Sequence, residues 1–367
     1  MKSAGGAMRD VFVWLLLVVP LSVAIAYATS PESVWTFVAA IVAIVPLAEW
    51  IRRATDHLAR RAGPALGGLL NVSFGNAAEL ILALFVLAAG KSDVVKAQLT
   101  GSIIGNSLLG LGLAIVVGSL GRDKQTFKRE RAGQLSSLLI LAMIALLLPA
   151  FFDFAVKGDG SAARGLLDER LSLAVSVVLI VVYVSNLIYT LVTHKSVFEF
   201  DEDASGAEHH HDQPAWPLWV SLAVLAGGTA VTALEAEMVA GALESTATTL
   251  GLSEFFLGVI VLAVVGNAAE YFSAAYFARQ GRMGLAISIT VGSSIQIALL
   301  MAPLLVIVSA FTAHPMNLVF SSPLELIAVA AVAFAVNSIA QDGETTWFEG
   351  VLLLSIYVLF GVAFFFI

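Results

Sequence analysis

Cysteine is absent from the 367 residues, which rules out a disulfide framework and any thiolate-held metal. Charge is scarce as well. Asp, Glu, Lys and Arg make up 13% of the chain, against about 25% in an ordinary soluble domain. No short segments of alternating hydrophobicity occur, so a membrane β-barrel is excluded. HExxH, a nucleophile dyad and a phosphate-binding loop are all missing, and with them the common signatures of a membrane enzyme. The basic residues are scattered and not interleaved with aromatics, which leaves no footprint for nucleic acid. No cofactor is expected.

What is present is apolar. Hydrophobic residues make up 59% of the chain, and the mean hydropathy is +0.92. Runs near the length that crosses about 30 Å of hydrocarbon recur from end to end. Only helices and closed barrels satisfy every backbone group in lipid, so the chain reads as an all-α polytopic membrane protein. Eleven transmembrane helices are expected, at 11–29, 34–51, 66–89, 98–120, 133–152, 170–193, 216–238, 252–278, 284–311, 323–341 and 346–366. Residues 1–29 carry Lys2 and Arg9 ahead of an apolar run, as a cleaved leader would. The run is long for a leader, and Pro20 and Tyr27 suit a retained helix, the reading adopted here.

Orientation follows from the basic residues. With the N-terminus inside, the outer segments hold only Lys91, Lys96, Lys157, Arg164 and Arg170 of the 19 Lys and Arg. That bias places the N-terminus in the cytoplasm. The composition suits a prokaryotic inner membrane, with arginines at 52–61 and 122–131 placed to meet anionic lipid.

The segment GNAAE occurs twice, at Gly75–Glu79 and Gly266–Glu270, an offset of 191. The same offset relates GSIIGNSLLG at Gly101 to GSSIQIALLM at Gly292, with Ser102/Ser293, Ile104/Ile295, Leu108/Leu299 and Leu109/Leu300 identical. Two motifs at one offset without a gap indicate duplication. Five expected helices per half is an odd number, so the halves enter the membrane from opposite sides. The expected plan is one N-terminal helix (1–33), a first five-helix repeat (34–193), a cytoplasmic linker (194–215) and a second, inverted five-helix repeat (216–367). Inverted repeats are typical of secondary transporters with a midplane site.

The motif carries the chemistry. A carboxylate in hydrocarbon costs about 2.5 kcal/mol or more. No Lys or Arg lies at comparable depth to pair with Glu79 or Glu270, so a cation or a proton must compensate. Asn76 and Glu79, like Asn267 and Glu270, stand at i, i+3 and share a helix face. Two carboxylates and two amide oxygens, with backbone carbonyls and water, make a hard-oxygen set suited to Ca²⁺. Without the ion, two facing carboxylates in a low-dielectric site favour proton uptake. One site can then exchange Ca²⁺ for H⁺. Gly75 and Gly266 permit close helix approach or a local break that exposes carbonyls. Ser102, Asn106, Ser293 and Gln296 are expected on helices beside the motif, completing the cavity or serving as interhelical glue.

Other polar groups read more plainly. Glu235, Glu237, Glu244 and Glu254 suit solvated helix ends or a cation-attracting mouth. Glu325, just after Pro323, suits a helix N-terminus. In the linker, Glu199, Asp201, Glu202, Asp203, His209, His210, His211 and Asp212 form a solvated stretch that could also sense Ca²⁺ or pH.

GGLLNVSFGNAAELI (67–81), GSIIGNSLLGLGLA (101–114), VVGNAAE (264–270), GSSIQIALL (292–300) and QDGETTWFEG (341–350) together resemble the Ca²⁺/H⁺ antiporter family of the cation/Ca²⁺ exchanger superfamily. The resemblance covers about residues 40–367. It implies eleven helices, a dispensable first helix, two inverted halves and an acidic linker. It also implies cation-binding and proton-exchanging roles for Glu79 and Glu270, with Asn76, Asn267, Ser102, Ser293 and Gln296 as neighbours. One departure stands out: the second family motif usually continues with His, where this chain has Tyr271. The expected function is secondary active exchange of Ca²⁺ for H⁺ across a bilayer. The rival readings are a divalent-cation channel and a Na⁺-coupled exchanger. The sequence leaves the oligomeric state open, a homo-oligomer included.

Overall fold

The computed structural model describes residues 12–155, 161–193, 216–320 and 322–367. The linker residues named above, from Glu199 to Asp212, lie outside the described residues. In chain order the helices are α1 (Val18–Ala28), α2 (Val34–Phe74), α3 (Ala77–Ala88), α4 (Ser92–Ile104), α5 (Leu111–Gly118), α6 (Arg129–Ala155), α7 (Ser161–Ile188), α8 (Leu218–Leu250), α9 (Glu254–Phe256), α10 (Ala263–Gly266), α11 (Ala268–Arg279), α12 (Met283–Gln296), α13 (Ala302–Ser309), α14 (Pro323–Asp342) and α15 (Trp347–Phe365). One antiparallel pair, β1 (Gln125–Thr126) with β2 (Glu344–Thr345), is the only sheet among the described residues. Eight helices there are long and apolar enough to span a membrane, or nine if the bent pair Glu254–Gly266 and Ala268–Arg279 counts as one span. Phe12–Ala28 and Ala77–Ala88 are shorter apolar helices.

The described residues fall into two compact units, 12–91 with 216–257 and 92–193 with 258–367. Each draws on both halves of the sequence. In the first, α2 and α8 lie along each other, α3 packs on α8, and α1 packs on α2. Small fully buried residues, Ala40 and Ala43 on α2 and Ala236 on α8, let these helices approach closely, and Ile44, Val239 and Leu243 are buried beside them. In the second unit, α5 packs against α11 and α15, α6 against α12 and α14, and α7 against α13.

Local chemistry sets the helix ends. Ser322 and Glu325 form a capping box at the start of α14, with Pro323 at its first helical position, and Thr346 with Glu349 forms another at α15. These pairings satisfy N–H groups that the first helical turn leaves open. The expected N-terminal role of Glu325 is therefore the one observed, and its Oε1 also accepts from Thr100 Oγ1 at 3.0 Å.

The hydropathy pattern suggests separate helices at 34–51 and 66–89. Instead α2 runs unbroken for 41 residues, through Arg52, Arg53, Arg60 and Arg61. Glu49 pairs with Arg52 at 2.9 Å and Arg53 at 2.6 Å, and Arg52 pairs with Asp56 at 2.9 Å. Such i, i+3 and i, i+4 pairs each support a helix by about 0.2–0.5 kcal/mol. The charges that read as a loop pair along one helix and support it.

Candidate functional site

The duplicated motif breaks the helix in both copies. In the first, α2 ends at Phe74, Gly75 and Asn76 form a turn, and α3 restarts at Ala77. In the second, α10 ends at Gly266 and α11 restarts at Ala268, across a 51° bend. The residue at each restart has nearly the same backbone, φ −104°, ψ 25° at Asn76 and φ −105°, ψ 8° at Asn267. Both restarted helices are 12 residues long. Each is followed by a glycine in the left-handed region, Gly90 at φ +79° and Gly281 at φ +82°, a conformation that side chains rarely tolerate.

This geometry explains how a membrane helix carries its acid. Glu79 and Glu270 each stand in the first turn of a restarted helix, where open N–H groups and the helix dipole favour negative charge. Both are buried, at 1% and 7% exposure. The preceding helix end, by the same token, presents carbonyl oxygens that suit a cation.

In the first unit, Glu79 lies on the face of α3 buried with Ala78, Leu82 and Val86. Gly75 and Asn76 are half-buried. Asn76 Nδ2 is shielded from solvent and has no hydrogen-bond partner among the described residues.

In the second unit the structure brings together Asn267, Ser102 and Asn106. Asn267 Nδ2 donates to Ser102 Oγ at 3.0 Å and to Ala263 O at 2.9 Å, while its Oδ1 accepts from Asn106 Nδ2 at 2.8 Å. All three side chains are fully buried. A further bond links Ser107 to Ser294, 2.8 Å between hydroxyl oxygens. Segments far apart in the sequence are thus tied by side-chain amides and hydroxyls. Ser293 is buried and Gln296 half-buried, and neither joins this bonded group.

Both amide hydrogens of Asn267 and its oxygen are thus engaged within the protein. Asn106, expected only as support, keeps a buried Oδ1 with no partner among the described residues. Spacing cannot show which of two neighbouring amides is consumed by the other.

Close backbone approach positions this group. A Cβ on Gly101 would collide with the Val259 carbonyl and come within 2.8 Å of Ala263 Cβ. The segment Gly105–Gly110 is a π-helical turn, and Tyr271 fills the groove its glycines leave, since a Cβ on Gly110 would lie 2.6 Å from the Tyr271 ring. A second π turn, Ile297–Met301, falls at the corresponding place in the other repeat. Such turns widen a helix locally and are frequent at functional sites.

Of the four acids read as a mouth, Glu244 and Glu254 both pair with Lys91 at 2.9 Å. Hydrogen bonds to Glu244, then Glu254, raise the Lys91 ammonium above its ordinary value. Glu235 departs from the expectation: it is fully buried and bonded to Ser22. Among the described residues, no three His, Asp or Glu side chains form a metal-holding cluster.

The chain is similar to known proteins over nearly its full length. A Ca²⁺/H⁺ antiporter of Aphanothece halophytica is 42% identical over 98% of this chain and 97% of its own. The Ca²⁺/H⁺ antiporter ChaA of Bacillus subtilis is 41% identical over 97% and 99%. The solved structure of the Ca²⁺/H⁺ antiporter YfkE superposes with a TM-score of 0.81 at 37% identity, covering 98% of this chain and all of that one. The H⁺/Ca²⁺ exchanger CAX shares the fold at a TM-score of 0.71 and 16% identity, over 98% and 92% of the two chains. The model of the sodium/calcium exchanger protein family matches residues 32–192 and 220–366, and the chain belongs to that family.

Proposed function

We propose that this protein is a secondary active antiporter that exchanges Ca²⁺ for H⁺ across a membrane. The observation that carries this reading is the repeated break: two buried glutamates, each in the first turn of a helix restarted at a Gly-Asn pair. The antiporters named above, matched over nearly their full length, supply the ions. The protein acts as an integral membrane transporter and not an enzyme, in a prokaryotic inner membrane with its N-terminus cytoplasmic. The eleven-helix plan with inverted repeats over 34–193 and 216–367 is part of the same proposal, as is the linker at 194–215.

Glu79 and Glu270 bind the cation and, when it leaves, protons. Two charges in a low-dielectric site cannot both persist without a counter-ion, so release of Ca²⁺ and uptake of H⁺ are two faces of one event. The Asn106 oxygen and the carbonyls at the helix breaks complete the oxygen set. Asn267 and Ser102 hold Asn106 in place, and Asn76, Ser293 and Gln296 line the approach. Gly75 and Gly266 allow the breaks. Alternating access requires two states of the surrounding helices, each preferred by one set of ions.

The test is flux in proteoliposomes under an imposed pH step, with a panel of Ca²⁺, Mn²⁺ and Na⁺. The expected result is Ca²⁺ movement that follows the proton gradient and stops when a protonophore collapses it. Current that ignores the proton gradient would identify a channel, and dependence on Na⁺ would identify a Na⁺-coupled exchanger.

A further inference from the structure

The first unit holds a carboxyl group that the exchange chemistry does not use. Glu235 lies near the middle of α8 and is fully buried. In the sequence it stands among Glu237 and Glu244, yet those two are exposed. Its bonded partner is Ser22 on α1, whose Oγ lies 2.6 Å from Glu235 Oε1. The same Oγ lies 2.6 Å from the carbonyl oxygen of Val19. Ser22 is itself fully buried.

Counting protons makes this arrangement informative. A serine hydroxyl has one hydrogen and can serve only one of these two oxygens. The Val19 carbonyl can only accept. If the hydroxyl served Glu235 instead, two bare oxygens would face each other at 2.6 Å across the Val19 contact. Both contacts are satisfied together when Glu235 carries its own proton: Glu235 donates to Ser22 Oγ, and Ser22 donates to Val19 O. Both distances lie in the short range for O–H···O bonds. The other carboxyl oxygen, Oε2, is buried with no partner among the described residues, a costly place for half of a carboxylate charge but a milder one for the carbonyl of a neutral acid.

Among the described residues, nothing nearby supplies a counter-charge. On α1 the titratable side chain is Tyr27, which is exposed. On α2, Glu49, Arg52, Arg53 and Asp56 pair with one another, and His57 stacks on Trp216. On α9, Glu254 pairs with Lys91. Arg60 and Arg61 of α2 and Glu79 of α3 complete the charged groups of the neighbouring helices, and Glu235 bonds to none of them.

We propose that Glu235 is a proton-binding site separate from the two motif acids, and that its proton fastens α1 to α8. Loss of the proton turns a donor into an acceptor, sets Glu235 against Val19 for the single hydroxyl hydrogen, and leaves a bare charge between the helices. The fastening then opens. This inference goes beyond cation exchange and does not depend on it.

Infrared difference spectroscopy on the full chain tests it without transport. In the parent, the protonated-carboxyl band at neutral pH should contain a component that Glu235→Gln removes and Ser22→Ala shifts. If Glu235→Gln removes intensity from the carboxylate band instead, or removes nothing, the proposal fails. The fastening is read by a single cysteine at Ala26 in this cysteine-free chain. Raising the pH until the Glu235 band is lost should speed labelling several-fold in the parent but not in Glu235→Gln, which keeps a neutral donor. Identical pH profiles in the two would overturn the fastening.

Discussion

The two copies of the motif agree in backbone and differ in what surrounds it. Asn76 and Asn267 adopt almost the same φ, and the helices they start are equal in length and end at equivalent left-handed glycines. Their side chains diverge. Asn267 makes three hydrogen bonds inside the second unit, whereas Asn76 Nδ2 has no partner among the described residues. Gly101 sits against the Val259 carbonyl, yet a methyl group placed on its counterpart Gly292 would meet nothing within 4 Å. The residue after each end glycine also differs in setting. Lys91 is doubly ion-paired, while Arg282 lies over the Phe277 ring at 5.0 Å. The two copies share the break that creates a helix start at the acid, and the packing around them differs.

Predictions that break or sharpen this comparison run from large to small. If both breaks serve exchange, Glu79→Gln and Glu270→Gln each reduce proton-driven Ca²⁺ flux to background while leaving a folded protein, as judged by its elution profile in detergent. Full activity in either variant would show the two copies to be functionally unequal.

The glycine pair should separate next. Gly101→Ala forces backbone apart and should destabilise by about 1–3 kcal/mol or more. Gly292→Ala has open space and a helical backbone, so it should be neutral or stabilise by up to about 1 kcal/mol. Thermal unfolding of the two variants decides, and equal losses would contradict the packing described.

The asparagines come third. Asn267→Ala strands the Asn106 amide and should cost about 1–3 kcal/mol. Asn76→Ala breaks no side-chain bond seen among the described residues and should cost less. Parallel melting curves give the difference.

The smallest effect is expected at Lys91→Gln, because exposed ion pairs stabilise little. Its sign is fixed by the raised ammonium of Lys91. The stabilisation is fully present below the ordinary lysine range and is lost as the pH rises through the raised value. The gap between parent and variant should therefore close at strongly alkaline pH.

Much of the molecule is legible in its sequence. Hydropathy indicates the helices, and the 191-residue offset locates both breaks, because glycine before asparagine in an apolar run is a poor place for a helix to continue. The unbroken course of α2 is hidden, since Arg52, Arg53 and Asp56 look like a loop until their pairing with Glu49 and one another is seen. The hydrogen bond between Asn106 and Asn267 is also hidden. So is the burial of Glu235, whose sequence neighbours Glu237 and Glu244 face solvent. In each case the deciding contact joins residues far apart in sequence or turns on which face of a helix a residue occupies.

The most direct test of cation-for-proton exchange at the motif acids is proton release when Ca²⁺ binds the purified protein in weakly buffered detergent. Binding should expel protons from the parent, and each of Glu79→Gln and Glu270→Gln should diminish both the binding and the release. Ca²⁺ binding with undiminished proton release in either variant would contradict it.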